Sequence, residues 1–323
     1  MRFIPNFKGF DFFPHDTRLD FMRYWKVCFW TSICTIVLSI LLIFTVGFNY
    51  GVDFKGGTLL EVQTKSGEPA NIQAMRSQLG SLGLGDLQIQ AFGTGNDVLI
   101  RIEQQPGEEQ GQQVAMQKVI DSLGNAYEQR RVEVVGPAVS SELRRTGLIA
   151  VLCAIIAIIA YVWFRFEWQF ALGTIIALTH DVLVVAGIFS LFQLEFDLSI
   201  VAALLTILGY SVNDTVVISD RIRENLRKYK RMELRELLNV SINETLSRTI
   251  LTGLTTFVVL VALFIFGGSV LRYFTLAMLM GVIIGTYSSI YIAAPILELF
   301  KLNRESIVGQ EKSTARSGGA AAR

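Results

Sequence analysis

Leu198–Ser219, LSIVAALLTILGYSVNDTVVIS, is apolar along almost its whole length and long enough to cross a lipid bilayer as a helix. It nevertheless holds Asn213 and Asp214 between Ser211 and Thr215. A carboxylate near the centre of a spanning helix costs about 2.5–3.5 kcal/mol on insertion-derived scales, so a chain that keeps one there usually turns it inward and gives it work. Two readings follow: a path for protons or ions, or a polar residue that glues helices together.

The same criterion, applied outward along the 323 residues, predicts six spans: 26–48, 146–164, 169–192, 198–219, 248–266 and 273–297. With 51% hydrophobic residues the chain belongs to the membrane class and not among soluble enzymes. Cys28, Cys34 and Cys153 all fall in apolar runs without metal-ligand spacing, so neither a disulfide framework nor a metal site is indicated. The net charge of +1 is not gathered into a nucleic-acid-binding face.

Basic residues in short connections stay in the cytoplasm. The connection 220–247 carries Arg221, Arg223, Arg227, Lys228, Lys230, Arg231 and Arg235, whereas Gln193–Asp197 carries no base. The basic loop is therefore expected inside, and an even number of spans puts the N-terminal segment 1–25 and the tail 301–323 on the same side. The aromatic N-terminus, from Phe3 to Phe13 among Arg2 and Lys8, is expected at the membrane surface, and the end of the tail to be disordered. The first apolar run is too long for a signal peptide and lacks a small-x-small cleavage site, so it reads as a retained anchor.

One connection is large, 49–145, and this topology places it outside. Alternation at Thr58–Thr64, Leu87–Phe92, Val98–Glu103 and Arg131–Val135 predicts strands, and Pro69–Leu82 and Gly107–Leu123 have helical spacing. The order β-α-β-β-α-β predicts a ferredoxin-like domain. Gly93–Gly95 sits where a hairpin must reverse, which backbone geometry explains without a ligand. The domain has no His, Cys or clustered carboxylates to suggest chemistry, leaving a binding or lever-like role.

No Gly-Lys dipeptide occurs, which removes a Walker A loop, and neither histidine lies in a His-Glu-x-x-His motif, so ATP and zinc are not expected as power or cofactor. An ion gradient remains: one charge through about 100 mV yields roughly 2.3 kcal/mol. Taking Ser219 as the inner end of its span, Asp214 lies roughly 8 Å into the membrane at about 1.5 Å per residue. Arg248 is expected to open the fifth span, either as a switchable ion-pair partner of Asp214 or as a snorkelling anchor, with Thr252 and Thr255 on the same helix face. In the third span His180 and Asp181 lie near the bilayer centre, where the pair could relay a proton or serve structure. Ser211, Asn213 and Thr252 complete the polar surroundings. Gly281 and Gly285 form a Gly-x-x-x-Gly pair suited to close helix packing.

Taken together, Gly51-Val52-Asp53-Phe54-Lys55-Gly56-Gly57-Thr58, Val135-Gly136-Pro137, Phe164-Arg165-Phe166-Glu167-Trp168, Ala177-Leu178-Thr179-His180-Asp181, the Gly209–Thr215 run and Ser219-Asp220-Arg221-Ile222-Arg223-Glu224-Asn225 resemble the SecF family, the smaller membrane subunit of bacterial SecD–SecF protein-export complexes. The likeness covers roughly Phe48 to Leu302, in order. It implies an α-helical membrane protein, the half of a resistance-nodulation-division type unit with six transmembrane helices and one periplasmic α+β ferredoxin-like domain, in the bacterial inner membrane with both termini cytoplasmic. It also implies action with SecD, the SecYEG channel, the SecA motor and YajC on preprotein substrates, driven by proton flow. Carried over, Asp214 resembles the family's protonatable aspartate and Arg248 its arginine partner; Asn213 adjoins the site and takes no proton-binding role. Lys55, where the family commonly has Thr, and Ser140, where Gly often stands, depart from the pattern without touching this path. The oxygens present would suit Na⁺ as well as H⁺, so the ion is assigned by resemblance alone.

Two rivals remain. A proton-coupled half-transporter for a small molecule or lipid predicts a substrate-lined cavity and a larger outer apparatus. A purely structural subunit has no reason to carry the cost of Asp214.

Overall fold

The computed structural model describes residues 19–85, 87–92 and 95–300. The aromatic start of the N-terminal segment, Gly93 and Thr94 of the expected hairpin, and the tail from Lys301 lie outside the described residues. In chain order the elements are α1 (Trp25–Thr45), β1 (Asn49–Tyr50), α2 (Val52–Lys55), β2 (Gly57–Thr64), α3 (Ile72–Gly80), β3 (Leu87–Phe92), β4 (Asp97–Ile102), α4 (Glu108–Leu123) and β5 (Tyr127–Val135). There follow α5 (Pro137–Arg165), α6 (Trp168–Leu191), β6 (Glu195–Phe196), α7 (Leu198–Lys228), α8 (Leu234–Phe266), α9 (Gly268–Ser288), a π-helical turn (Ser289–Ala293) and α10 (Ala294–Leu299).

Six helical segments are long and apolar enough to cross a membrane: α1, α5, α6, α7, α8, and α9 continued through the π turn into α10. The chain is a multi-pass membrane protein. α6, α7 and α9 bury about half of their apolar stretches against one another and form the centre, while α1, α5 and α8 keep most of theirs facing outward. At the centre Val185, Phe189, Ile200, Ile207 and Ala277 pack without solvent contact.

The connection 220–247, read as a basic loop, is a helical hairpin instead. α7 runs on to Lys228 and α8 begins at Leu234, leaving only a short turn between them. Hydropathy loses these turns because one face is charged. The other face repeats Ile218, Ile222 and Leu226 at helical spacing and buries them with Leu237, Leu238 and Ile242. Asn225 Nδ2 donates to Ser241 Oγ at 3.0 Å and Glu244 Oε2 at 2.6 Å, and Arg221 pairs with Glu244 at 3.1 Å, pinning the two arms. The residues before α1 are strapped across α8: Met22 N donates to Asn239 Oδ1 and Leu19 N to Asn243 Oδ1.

The outer domain has the sheet order β3-β4-β2-β5, every neighbour antiparallel, with α3 and α4 between strands, which is the ferredoxin-like arrangement. Alternation along β4 sends Val98, Ile100 and Ile102 to the helix-covered face, where each is fully buried with Leu60, Leu79 and Val119. Asn71 caps α3 by accepting from Ala74 N at 3.0 Å. Gly57, at the start of β2, has φ 124°, and a Cβ there would press on the Ile102 carbonyl. Gly57→Ala is therefore expected to destabilise the outer domain by about 1–3 kcal/mol, measurable as faster protease cleavage between β2 and β5; unchanged resistance would contradict it.

The domain is seated on the membrane part by polar contacts. β1 and β6 pair in parallel through Asn49 with Glu195 and Tyr50 with Phe196, and Phe48, Tyr50, Phe54 and Phe196 stack around the join. Asp197 caps α7, accepting from Ile200 N at 3.1 Å, while Asp53 Oδ2 accepts from Leu198 N at 2.9 Å, so two carboxylates meet the positive end of one helix. Arg101 of β4 pairs with Glu195, and Gln90 of β3 donates to the Tyr273 hydroxyl at 3.2 Å. Burial raises the Glu195 carboxyl above its usual range despite the opposing pull of Arg101, and burial raises Asp197 as well. A carboxyl with a raised folded-state pKa favours the seated state in its protonated form. Seating should therefore strengthen as pH falls through the raised values and gain nothing more below the ordinary 4.5 of Glu195 and 3.8 of Asp197. The distance between spin labels attached beforehand at Gln90→Cys and Tyr273→Cys is expected to shorten between about pH 7.5 and about pH 5, and to respond less in the Glu195→Gln variant; a lengthening on acidification would contradict this sign.

Candidate functional site

The polar residues of the central helices gather where α6, α7 and α9 meet. Asp181 on α6 is fully buried, and its carboxylate holds three partners: His180 Nδ1 at 2.9 Å, Ser211 Oγ of α7 at 2.6 Å and Ser288 Oγ of α9 at 2.8 Å. His180 is equally buried, its ring 6.2 Å from that of Tyr287. Tyr287 in turn donates to the Cys28 carbonyl of α1 at 2.8 Å and lies 3.0 Å from Ser32 Oγ. One turn along α7, Thr215 Oγ1 meets Ser289 Oγ at 2.9 Å. A polar belt thus crosses four of the six spans.

Glycines allow this approach. A Cβ on Gly281 would run into Ile207, and one on Gly285 would lie 3.1 Å from Ser211 Cβ and 3.6 Å from Asp181 Oδ2. The Gly-x-x-x-Gly pair therefore lies against α7, and Gly285 also brings Ser211 and Ser288 to one carboxylate. The π turn begins immediately after Ser288; single π turns recur at functional sites because they free backbone groups and re-aim side chains.

Asp214 stands three residues after Ser211, on the same face of α7, and is 2% exposed. Its Oδ2 is buried with no hydrogen-bond partner among the described residues. An unpartnered carboxylate oxygen in an apolar setting is costly, since desolvation of the ionised form is uncompensated.

Arg248 does not open its helix. It lies well inside α8, because the helix begins at Leu234, and its side chain is exposed. It lines an open groove of about 290 Å³ with Val217, Asp220, Arg221, Glu224, Glu244 and Thr245. No ion pair joins it to Asp214 among the described residues, although its charge acts on Asp214 through space. Thr252 bonds back to its own helix, donating to the carbonyls of Arg248 and Thr249 at 3.0 Å each, and Thr255 does likewise to Leu251 and Thr252. Neither joins the belt through a hydrogen bond. Asn213 faces outward and is exposed.

Reading the sequence missed Ser288, Ser289, Thr215 and Tyr287 as members of this site. The Ser288-Ser289 pair following Tyr287 inside an otherwise apolar span was the available signal.

Comparison with known proteins agrees with this fold. A family model described as protein export membrane protein SecD/SecF, C-terminal, matches residues 115–303, and a SecD/SecF GG motif model matches residues 41–68. These matches define a protein-export membrane protein of the SecD/SecF class. The chain belongs to the SecF family of protein translocase subunits. It is 44% identical to protein translocase subunit SecF of Rickettsia rickettsii over 91% of this chain and 96% of that one, and 43% identical to the SecF of Escherichia coli O157:H7 over 90% and 91%. It is also 43% identical to protein translocase subunit SecDF of Brucella abortus, spanning 39% of that longer protein. A crystal structure of SecDF from Thermus, a translocon-associated membrane protein, superposes over 90% of this chain and 40% of its own length, with a TM-score of 0.80 and 38% identity.

Proposed function

We propose that this translocase subunit uses the proton-motive force to promote the movement of preproteins across the bacterial inner membrane and their insertion into it, with Asp214 as the proton carrier and Arg248 as its counter-charge. The observation that carries the reading is the buried, unpartnered Oδ2 of Asp214 on a helix at the centre of the membrane bundle. Protonation discharges that oxygen and a counter-charge swinging in would pair it, and Arg248 sits on the adjacent helix within electrostatic reach. A free carboxylate with a mobile cation nearby is a two-state element that a proton gradient can bias.

The chain supplies one six-helix unit, and the SecDF relatives, of which it spans about two fifths, are named for both subunits, so a SecD-type partner is proposed to supply the other half against the outward apolar faces of α1, α5 and α8. SecYEG, SecA and YajC are the further proposed neighbours. The basic α7–α8 hairpin and both termini are assigned to the cytoplasm and the ferredoxin-like domain to the periplasm by the positive-inside rule. The ion is proposed as H⁺.

Membrane vesicles holding the chain with its SecD-type partner and the translocation channel test the reading. Preprotein movement is expected to rise with an imposed pH gradient and not with a Na⁺ gradient of equal size. Equal movement with and without a pH gradient would sink it.

A further inference from the structure

The best-connected buried group in the bundle is not Asp214. Asp181 receives hydrogen bonds from its own helix and from two others, 30 and 107 residues away in sequence. Ser211 Oγ–H and Ser288 Oγ–H both donate to Oδ2 while His180 Nδ1 lies 2.9 Å from Oδ1, so both carboxylate oxygens are engaged, the pattern of a group held in place. Ser288 also reaches the Gly285 carbonyl at 3.1 Å and Ser289 reaches the same carbonyl at 2.9 Å, so the clamp ends on the last residue of α9, next to the π turn. Ser211, clamped by Asp181, is three residues from Asp214 and shares its face of α7.

We infer that Asp181 is the positioning residue of the proton site: its clamp on Ser211 and Ser288 fixes α7 against α9, so that a change at Asp214 is delivered as a movement of helices and is not lost as proton leak. This rests on the reading of Asp214 as proton carrier and adds to it a residue with a different duty. Asp214 has an oxygen free to change partner, whereas Asp181 is fully engaged. The other titratable or charged groups around the clamp are His180 on α6, Tyr287 on α9, Tyr291 on the π turn, Tyr210 and Asp214 on α7, Cys28 on α1 and Arg248 on α8. Of these, only His180 bonds the clamped carboxylate, through the nitrogen that keeps its ring against Tyr287. The glycine at 285 belongs to the same device, because a Cβ there would press on Ser211, at 3.1 Å from its Cβ and 3.3 Å from its Oγ, where it bonds Asp181.

The test uses the chain in complex with its SecD-type partner in sealed membrane vesicles. Three quantities are read for each variant: assembled complex, preprotein translocated, and dissipation of an imposed pH gradient. Asp181→Asn keeps an acceptor oxygen for both serines and should retain at least about a third of the translocation rate. Asp181→Ala, and the double variant Ser211→Ala with Ser288→Ala, should each lose translocation about ten-fold or more while gradient dissipation falls much less. Protons spent per preprotein moved should then rise several-fold in both. The double variant keeps the question answerable if Asp181→Ala fails to assemble.

Two results would overturn the inference. One is an Asp181→Asn variant that assembles yet loses both proton movement and translocation, which makes Asp181 a carrier. The other is a double variant whose translocation and dissipation fall together in proportion to assembled complex, which reduces the clamp to simple helix glue. Asp214→Asn is run in parallel: if it still responds to the pH gradient, the proton-carrier reading fails on its own, whatever the Asp181 variants do.

Discussion

Asp214→Asn is expected to assemble normally and to abolish proton-driven translocation, with the stimulation by a pH gradient falling to the level of vesicles that lack the subunit. The substitution is nearly isosteric, and its side-chain amide cannot take up or release a proton. Asp214 is buried with an unpartnered oxygen, so replacing a carboxylate by an amide removes a desolvation penalty instead of breaking an ion pair. The folded protein should therefore be no less stable, and a gain of up to about 1–3 kcal/mol in resistance to denaturing detergent is expected. Stability and function moving in opposite directions is the signature of a group kept for its chemistry. Were Asp214→Asn to disrupt assembly, the helix-glue reading would gain; were gradient stimulation to persist, the proton reading would fail.

The second large effect is expected at a position with no functional role. Gly173 on α6 lies against the backbone of the π turn, and a Cβ built there comes 2.8 Å from the Ala293 carbonyl oxygen and 3.5 Å from its Cα. Both are main-chain atoms of a segment that cannot rotate away as a side chain would. Gly173→Val adds two further carbons and must displace either α6 or the π turn. Overpacking of this kind costs typically about 1–3 kcal/mol, and here the displaced segment begins with Ser289 and adjoins Ser288. Loss of folded protein in mild detergent and loss of translocation together are expected, in contrast to Asp214→Asn. Thermal stability within about 0.5 kcal/mol of the parent would show that the π turn yields more easily than its packing implies.

Much of the architecture was legible without coordinates because lipid permits few choices. A spanning backbone must satisfy its own polar groups, so each long apolar run had to be a helix, and six were visible. Strict alternation and turn residues likewise marked the four strands of the outer domain, whose order in the sheet is the one that β-α-β-β-α-β connectivity favours. The helical hairpin that continues α7 and α8 was hidden for a corresponding reason. Outside the hydrocarbon, hydropathy no longer reports helix, and the charges of Arg221 to Arg235 read as loop although Ile222, Leu226, Leu237 and Leu238 form a buried stripe.

The functional residues divide in the same way. Asp214, His180 and Asp181 announced themselves because an ionisable group inside an apolar run is expensive wherever its neighbours lie. Arg248 could be named but its surroundings could not: the helix that carries it starts well before it, at Leu234, and its side chain lines an open groove beside Asp220, Arg221 and Glu244. Thr252 shared a helix face with it on paper, yet its hydroxyl is spent on its own backbone.

By itself, the amino-acid sequence determined which segments cross the membrane, that one ferredoxin-like domain stands between the first two spans, and which costly groups the bilayer must accommodate, because all three follow from local composition and period in a solvent that tolerates no unpaired backbone. Only the tertiary structure decided who partners whom. Asp181 meets Ser288 across 107 residues, Gly285 makes the room for it, and Asp214 is left with an oxygen unclaimed, because contacts between helices depend on how they rotate and how closely they approach, and neither is written in the composition of any one of them.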